Sequence, residues 1–488
     1  MNANRERALL CTLAVVLVLL RSFVATYYEG FYFDSDQAIV CLMARHLSRF
    51  QTFPLFYYGL NYILGVEAWI IAPFFWLGRA SVGLARLPFV ALNALVAVWL
   101  IRRFTSGLGL RPAAAFIAAL PFIMPTPAVS AHLLQLAGSC VEPFVYVLLL
   151  WTLRRRPFAF GLVLAIAFFH REFTIFVLPA LVLVEARRAD FWSRSTVVRA
   201  AWVLAGFALV WLVVDDLKMH LLGAGLIGQA ASLGGQMCAT LGDLAQRARA
   251  LVVEALPILY GGRSMPLAGV RLSSPIEAGG FVIGAIVAVA IAVMLARLTI
   301  TSARLKGSRS FDQENDAGFA GYLAWVGFFT ACAYPLSCNV VLGALPLLRY
   351  LLLALLLPIG IFAAFMQRER SAALRTVVAG VFVLWGAANL WDNARVIREA
   401  LRDPPGSEHR ALADYLVQQR IRYARAIYWD AYVIDFLSNE RVIVASVDTF
   451  RIPDYQKRVE EHADAAVNLE RMPCDAPRRV ASWCITGP

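Results

Sequence analysis

The sequence predicts an all-α polytopic membrane protein of about eleven transmembrane helices, followed by a small C-terminal α/β soluble domain. Three observations predict this class. The 488 residues are 60% hydrophobic and 16% charged, whereas soluble domains carry about 25% charged residues. Apolar runs long enough to cross a bilayer recur as far as residue 392. Beyond them the chain turns polar, and short helical and β-rich runs alternate. The chain therefore divides into a transmembrane domain, residues 1–394, and a tail domain, residues 395–488.

Eleven apolar runs are the expected spans. In chain order they lie near residues 8–28, 84–101, 112–125, 140–153, 158–169, 173–185, 198–214, 279–298, 318–338, 349–366 and 375–392. Arginine-rich clusters separate them, and Lys and Arg collect in cytoplasmic loops. A cytoplasmic N-terminus places all these clusters on the cytoplasmic side. The outer segments are then 29–83 (the first outer loop), 126–139, 170–172, 215–278 (a large outer loop), 339–348 and the tail.

The net charge of +12 does not indicate nucleic-acid binding. The basic residues are spread over short segments between apolar runs, which is the pattern of membrane topology rather than of a nucleic-acid groove. We therefore expect no nucleic-acid partner.

Two apolar stretches are expected to form short helices. The segment YILGVEAWIIAPFFWLG, residues 62–78, reads as a juxtamembrane or re-entrant helix that carries Glu67. Residues 158–188 read as two short helices with His170, Arg171 and Glu172 at the turn between them. Each helix of about 12 residues is about 18 Å long, short of the hydrocarbon core of about 30 Å. The turn then lies below the outer surface, which implies a polar cavity that opens outward.

Asp34 and Asp36 follow the first span in the segment FDSDQAIV. In an extended chain, residues i and i+2 point to the same side, so both carboxylates can face one site. Aspartate also favours the N-cap of a helix. We expect Asp36 to cap a helix that begins near Gln37, with Asp34 pointing into the cavity; the alternative is solvated loop acids plus a cap.

Several other polar residues lie at the same depth. Glu67 sits in an apolar run, where an ionisable residue indicates function, although a structural pair with Arg86 or Arg45 is equally open. His170, Arg171 and Glu172 are either a phosphate-recognising trio or a local ion pair between Arg171 and Glu172. Arg349 and Tyr350 are either a phosphate anchor or an interfacial pair. Weaker candidates are Arg21, His132, Gln135 and Glu142.

Carboxylates and phosphate-binding cations are thus expected on one membrane face. Glycosyl transfer from a lipid phosphate needs both: a carboxylate that accepts the proton of an acceptor hydroxyl, and cations that stabilise the phosphate leaving group. The alternative is a multi-span transporter or flippase for a lipid-linked or anionic substrate, but no repeated halves are visible. Nothing requires a metal or a cofactor, although the outer acids would admit a divalent ion. Cys474 and Cys484 are expected to form a disulfide if the tail lies outside the cytosol.

The sequence resembles GT-C glycosyltransferases, in the group that includes the protein O-mannosyltransferases and the lipid A aminoarabinose transferase. The resemblance is strongest over residues 30–105. It rests there on the acidic motif FDSD, on a Tyr-Gly-x-x-Tyr…Glu stretch ending at Glu67, and on the run GRASVGLARLP before the next span. RYLLLALL at 349–356 and YWDAYVIDFLSNERVIVAS at 428–446 are also similar to family segments.

The resemblance implies an inverting hexosyl- or pentosyltransferase of the bacterial cytoplasmic (inner) membrane, with a cytoplasmic N-terminus and a periplasmic active site and tail. The donor is expected to be a polyprenyl-phosphate sugar, and the acceptor an envelope glycan, lipid or protein. The catalytic base falls on Asp34, with Asp36 second. The expected substrate-binding residues are Tyr58, Asn61, Glu67, His170, Arg171, Glu172, Arg349 and Tyr350.

Two departures from the family pattern matter. Asp-Ser-Asp replaces the Asp-Glu pair of the O-mannosyltransferases, so protein O-mannosylation is not supported. The lysine common near the first-loop phosphate site has no match in YYGLNYILGVEA, and Arg349 and Arg171 are the substitutes we expect.

Overall fold

The computed structural model describes residues 3–60, 62–137, 140–186, 191–222, 240–261, 276–304, 318–338, 340–343, 347–474 and 478–487. The α-helices are α1 (Ala3–Tyr27), α2 (Ser35–Ser48), α3 (Val66–Phe75), α4 (Val82–Ser106), α5 (Pro112–Ile123), α6 (Pro127–His132), α7 (Glu142–Leu153), α8 (Pro157–His170), α9 (Val177–Glu185), α10 (Arg194–Leu222), α11 (Leu241–Ala250), α12 (Leu256–Tyr260), α13 (Ile276–Arg304), α14 (Phe319–Ala333), α15 (Leu356–Arg368), α16 (Ala372–Arg402), α17 (Glu408–Gln418), α18 (Tyr428–Leu437) and α19 (Pro453–Glu460).

Among the described residues, six helices are long and apolar enough to cross a membrane: α1, α4, α10, α13, α14 with its continuation to Leu336, and α16. Each of the six coincides with a predicted span, so the chain is a multi-pass membrane protein. The other five predicted spans fall on shorter helices: α5, α7, α8, α9 and the helical stretch Leu352–Arg368. The total of eleven spans therefore stays a prediction.

The two predicted short-helix segments are helices of limited length. α3 has 10 residues, too few to span a bilayer. α8 ends at His170, the backbone is extended at Arg171 (φ −150°, ψ 98°), and a 3-10 helix, Glu172–Phe176, leads into α9. The break predicted at His170–Glu172 is confirmed. In the large outer loop, α10 continues to Leu222, past the predicted end at 214, and includes Asp215 and Asp216.

The tail contains a five-stranded mixed sheet of β1 (Tyr423–Ala426), β2 (Ile443–Ser446), β3 (Val467–Arg471), β4 (Arg478–Val480) and β5 (Trp483–Thr486), in the order β2-β1-β3-β5-β4. β1 is parallel to both neighbours, and β5 is antiparallel to β3 and β4. The predicted small α/β domain is therefore present. α16 continues to Arg402, past the predicted boundary at 394, and Cys474 and Cys484 form a disulfide.

The tail domain packs directly on α2. The Ser35 hydroxyl donates to the main-chain oxygen of Tyr428, and Arg45 Nη2 donates to the main-chain oxygen of Phe436 at 2.8 Å. Glu29 receives two hydrogen bonds of 2.8 Å from the Arg410 guanidinium. One hydrophobic core runs from the membrane helices into α18 and the sheet. The tail is thereby fixed against the start of the first outer loop.

Candidate active site

A buried arginine shapes the turn that precedes α2. Arg86 of α4 donates to the main-chain oxygen of Ala25 at the end of α1, and to that of Tyr32 at 2.9 Å. Tyr32 has a left-handed backbone (φ +53°), and its hydroxyl lies 3.0 Å from His132 Nε2. These contacts fix where the turn ends and where α2 begins.

Asp34, not Asp36, caps α2. Its Oδ1 accepts the Gln37 N–H at 3.0 Å, and the helix begins at Ser35. The prediction that Asp36 is the cap was wrong, because α2 starts two residues earlier than the predicted Gln37. Burial and the negative charge of Asp36 raise the pKa of Asp34 to about 6, although the Gln37 hydrogen bonds and the Arg349 charge oppose the rise.

Asp36 lies in the first turn of α2 and has partners from two distant segments. Its Oδ1 accepts the Tyr428 hydroxyl of the tail, and its Oδ2 lies 3.8 Å from Arg349 Nη1. Its main-chain oxygen accepts the Tyr57 hydroxyl at 2.7 Å. The structure therefore joins a carboxylate, a partly exposed guanidinium and a tail tyrosine at one point.

A second polar cluster lies deeper, where α3 meets the end of α8. Glu67 forms an ion pair with Arg171, and its Oε2 lies 3.1 Å from His170 Nε2. All three side chains are at most 5% exposed. Tyr146 lies 2.8 Å from the other ring nitrogen of His170. The partner of Arg171 is thus Glu67 of the first loop, rather than the neighbouring Glu172.

The alternative partners proposed for Glu67 are engaged elsewhere. Arg86 holds the turn before α2, and Arg45 contacts Phe436 and lies 3.7 Å from Glu440 Oε2 in the tail. Neither forms a salt bridge with Glu67 among the described residues.

Glu67 and His170 of this cluster, together with Glu142, can hold a divalent cation. Ligand atoms of Glu67, Glu142 and His170 lie within 4.8 Å of one another, and all three residues are buried. Glu67 Oε2 and His170 Nε2 lack a well-aligned hydrogen bond, and one imidazole with two carboxylates is a donor set that divalent metals accept. The sequence does not single out this set of ligands, because Glu142 is only a weak candidate there. Glu142 Oε2 also accepts the main-chain N–H groups of Cys140 and Val141.

Arg349 connects the two clusters. It belongs to the 3-10 helix Leu348–Tyr350, and its charge acts on both Asp34 and Arg171. The ring of Tyr350 packs edge-on against Phe173, which follows Glu172, with 6.4 Å between ring centroids. Arg349 is therefore near enough to both clusters to interact electrostatically with each.

The remaining predicted site residues have other placements. The Tyr58 hydroxyl contacts Thr52 at 2.7 Å and His46 Nδ1 at 3.1 Å, whereas its neighbour Tyr57 is the tyrosine at Asp36. Asn61 lies outside the described residues. Glu172 is half-buried at the start of its 3-10 helix, close enough to Arg171 to interact electrostatically.

Sequence reasoning missed Tyr57, Tyr146 and Tyr428. Tyr57 and Tyr58 are adjacent, and no pattern in LFYYG tells which of the two faces the aspartates. Tyr428 begins a segment that carried the family resemblance, but no local signal connects it with a residue 392 positions away.

Comparison with solved structures identifies the architecture. The oligosaccharyltransferase of Archaeoglobus fulgidus in its apo form matches 95% of this chain and 69% of its own, with a TM-score of 0.50 and 12% identity. ArnT from Cupriavidus metallidurans bound to undecaprenyl phosphate matches 98% of this chain and 97% of its own (TM-score 0.46, 11% identity). Apo ArnT matches 96% and 93% (TM-score 0.42, 13% identity).

No protein-family model and no curated protein matches the sequence. The match to the archaeal enzyme covers nearly the whole chain, so it describes the membrane helices and the tail together. The chain has the fold of a GT-C glycosyltransferase, as the resemblance over residues 30–105 implied.

Proposed function

We propose that the protein transfers a sugar from a polyprenyl-phosphate donor to an acceptor of the cell envelope, at the outer face of the cytoplasmic membrane. The observation that carries the proposal is the meeting of two aspartates and Arg349 at one end of the first outer loop. The shared fold supports the reaction class, because the archaeal structure with that fold is an oligosaccharyltransferase.

Asp34 is the general base in this proposal. A base works best when its pKa lies near the working pH, and the pKa of Asp34 is raised to about 6. Asp34 takes the proton of an acceptor hydroxyl as the acceptor oxygen attacks the anomeric carbon. The bond from that carbon to the phosphate oxygen breaks on the opposite face, so the configuration inverts.

Arg349 stabilises the departing phosphate. A guanidinium offers several donors in a fixed plane that matches phosphate oxygens. The Arg349 side chain is 34% exposed and forms an ion pair with Asp36, so part of the side chain is accessible to a ligand. Arg171 is tied to buried Glu67 and contributes positive charge at greater depth rather than a free donor fork.

The test is turnover of the purified protein in liposomes with a panel of polyprenyl-phosphate hexoses and pentoses and a mixture of envelope acceptors. We expect release of polyprenyl phosphate from at least one donor, and a loss of about 10²–10⁴-fold for Asp34→Asn. Asp454→Asn changes an exposed tail aspartate and serves as the control, with unchanged turnover.

Two outcomes contradict the proposal. Full turnover by both Asp34→Asn and Asp36→Asn removes the catalytic assignment. Movement of an intact lipid-linked sugar across the bilayer, without release of polyprenyl phosphate, indicates a transporter or flippase instead.

A further inference from the structure

We propose that Tyr428 of the C-terminal domain is a positioning residue of the transfer reaction, which holds the Asp36 carboxylate against Arg349 and so completes the catalytic site. The inference rests on the proposed function. It assigns to the tail domain a direct part in the site that the first outer loop and Arg349 otherwise form.

The first step is the contact itself. The Tyr428 hydroxyl reaches Asp36 Oδ1, and Arg349 approaches Asp36 Oδ2 at 3.8 Å. The two oxygens of one carboxylate are thus held from two sides, by a tail helix and by a turn between membrane helices. A hydrogen bond to a charged group is stronger than one between neutral groups, so it selects one orientation of the carboxylate.

The second step is the rigidity of Tyr428. The residue is 5% exposed. Its main-chain N–H donates to Asp448 Oδ1 at 2.7 Å, and its main-chain oxygen accepts the Ser35 hydroxyl. The Tyr432 ring lies edge-on at 5.6 Å, and the Arg451 guanidinium lies 5.7 Å from the Tyr428 ring centre. The hydroxyl therefore has a fixed direction before any substrate binds.

The third step is the direction of the hydrogen bond. Burial and the charge of Asp36 raise the pKa of Tyr428, so the phenol keeps its proton and is the donor. With Oδ1 occupied by a tyrosine and Oδ2 facing an arginine, Asp36 is poorly placed to take a proton from an acceptor. This arrangement leaves the role of base to Asp34 and assigns to Asp36 the orientation of Arg349.

The test compares Tyr428→Phe, which removes only the hydroxyl, with Tyr423→Phe, which changes a tyrosine of β1 in the same domain, stacked on His462. Release of polyprenyl phosphate is followed at pH 7 over a range of donor concentrations. Without the hydroxyl, one oxygen of the Asp36 carboxylate loses its partner and the carboxylate can turn away from Arg349. We therefore expect kcat to fall about tenfold for Tyr428→Phe, with the KM for the donor unchanged.

If Tyr428 acts through Arg349, Tyr428→Phe should cause little further loss of kcat in an Arg349→Ala background. Tyr423→Phe should keep the wild-type kcat and KM. Wild-type turnover by Tyr428→Phe, or an equal fold-loss in both backgrounds, would overturn the inference, because a purely structural role predicts the same loss with or without Arg349.

A second measurement does not depend on turnover. Thermal unfolding midpoints in detergent are compared for Tyr428→Phe, Asp36→Asn and the double variant. If the two side chains interact, the double variant should lose less than the sum of the single losses; strict additivity would overturn the contact. A wild-type protein that releases no polyprenyl phosphate from any donor, yet shows this coupling, would contradict the proposed function and leave the contact standing.

Discussion

Arg349 has two neighbours at the candidate site, an acidic side chain and an aromatic ring. It is a third exposed and lies beside Asp36, and its guanidinium also packs 5.1 Å from the ring centre of Tyr350. A stacked and paired guanidinium keeps its planar donor face toward a ligand. Lysine would keep the charge but would lose the planar fork.

We predict that Arg349→Lys retains part of the activity and that Arg349→Ala loses about 10²–10³-fold in turnover, as when a charge-stabilising donor is removed. Release of polyprenyl phosphate under saturating donor measures both variants. Arg398→Ala, an exposed arginine of α16, is the matched control. Equal activity of Arg349→Ala and the control would contradict a role at the leaving group.

Substitution of Glu67 is predicted to lower the stability of the folded protein. Glu67 is 1% exposed and pairs with buried Arg171, so Glu67→Gln leaves a buried guanidinium without its carboxylate. Breaking a buried ion pair on one side costs roughly 3–5 kcal/mol. The unfolding midpoint in detergent should drop clearly for Glu67→Gln and little for Glu172→Gln, whose side chain is half-buried. Equal midpoints would contradict the prediction.

At this scale the sequence indicated a set of candidate residues but not the contacts between them. Asp34, Asp36 and Arg349 lie in one cluster of the candidate site and Glu67 and Arg171 in the other. Hydropathy and the distribution of basic loops had predicted all five near one membrane face. The contacts between these side chains were not predictable from the sequence. The N-cap is Asp34 rather than the predicted Asp36, because α2 starts at Ser35. Arg171 pairs with Glu67 rather than with its sequence neighbour Glu172, because tertiary packing brings α3 to the end of α8.

Among the elements, α18 makes contacts both with the candidate site and within the tail domain. Tyr428 at its start contacts Asp36. Asp430, two residues later, contacts residues of the tail domain instead. Asp430 is 1% exposed and accepts from His409 at 2.8 Å and from Arg471 at 2.6 Å. Burial acts to raise the pKa of Asp430, but these hydrogen bonds outweigh it and lower the pKa to about 2.

We predict an acid-sensitive tail domain. A carboxyl group whose pKa in the folded protein is below its ordinary pKa stabilises the fold at any pH above the ordinary pKa. This contribution to the free energy of unfolding is lost as the pH falls through the pKa of the folded state. The tail should therefore lose about 2 kcal/mol between pH 4 and pH 2 through Asp430. Unfolding midpoints of Asp430→Asn should be lower near neutral pH and depend less on pH, whereas Asp464→Asn, on the tail surface, should match the wild type. A parallel pH dependence in Asp430→Asn would contradict this assignment.

Elements were predictable where one physical rule decided them. The long helices followed from hydropathy, and the break after α8 followed from the cost of placing His170, Arg171 and Glu172 in the middle of a helix within the bilayer. Helix ends were less predictable: α10 continues through Asp215 and Asp216 to Leu222, because a helix that leaves the bilayer can extend into water with polar residues.

For the whole molecule, the arrangement of basic loops predicts which side each part faces. A cysteine introduced at Glu461, exposed in the tail, should react with an impermeant maleimide in intact cells. A cysteine at Arg156, in the basic cluster before α8, should react only after lysis, with labelling of the unaltered chain subtracted. The opposite pattern would invert the proposed topology. The Cys474–Cys484 disulfide agrees with a tail outside the cytosol.

The global arrangement was the part least visible in the sequence. Composition predicted a tail with its own helices and strands, but no local sequence pattern predicted that this tail packs on α2. Such docking depends on surface complementarity between segments almost a full chain apart, which periodicity does not encode.

That docking also sets the order in which the candidate site is completed during synthesis. Asp36 is synthesised early, and Tyr428 follows 392 residues later. At about 5–20 residues per second, Tyr428 is therefore added roughly 20 to 80 seconds after Asp36. A nascent or truncated chain can therefore insert its helices and still lack the Asp36–Tyr428 contact, which forms only after the C-terminal segment has been made.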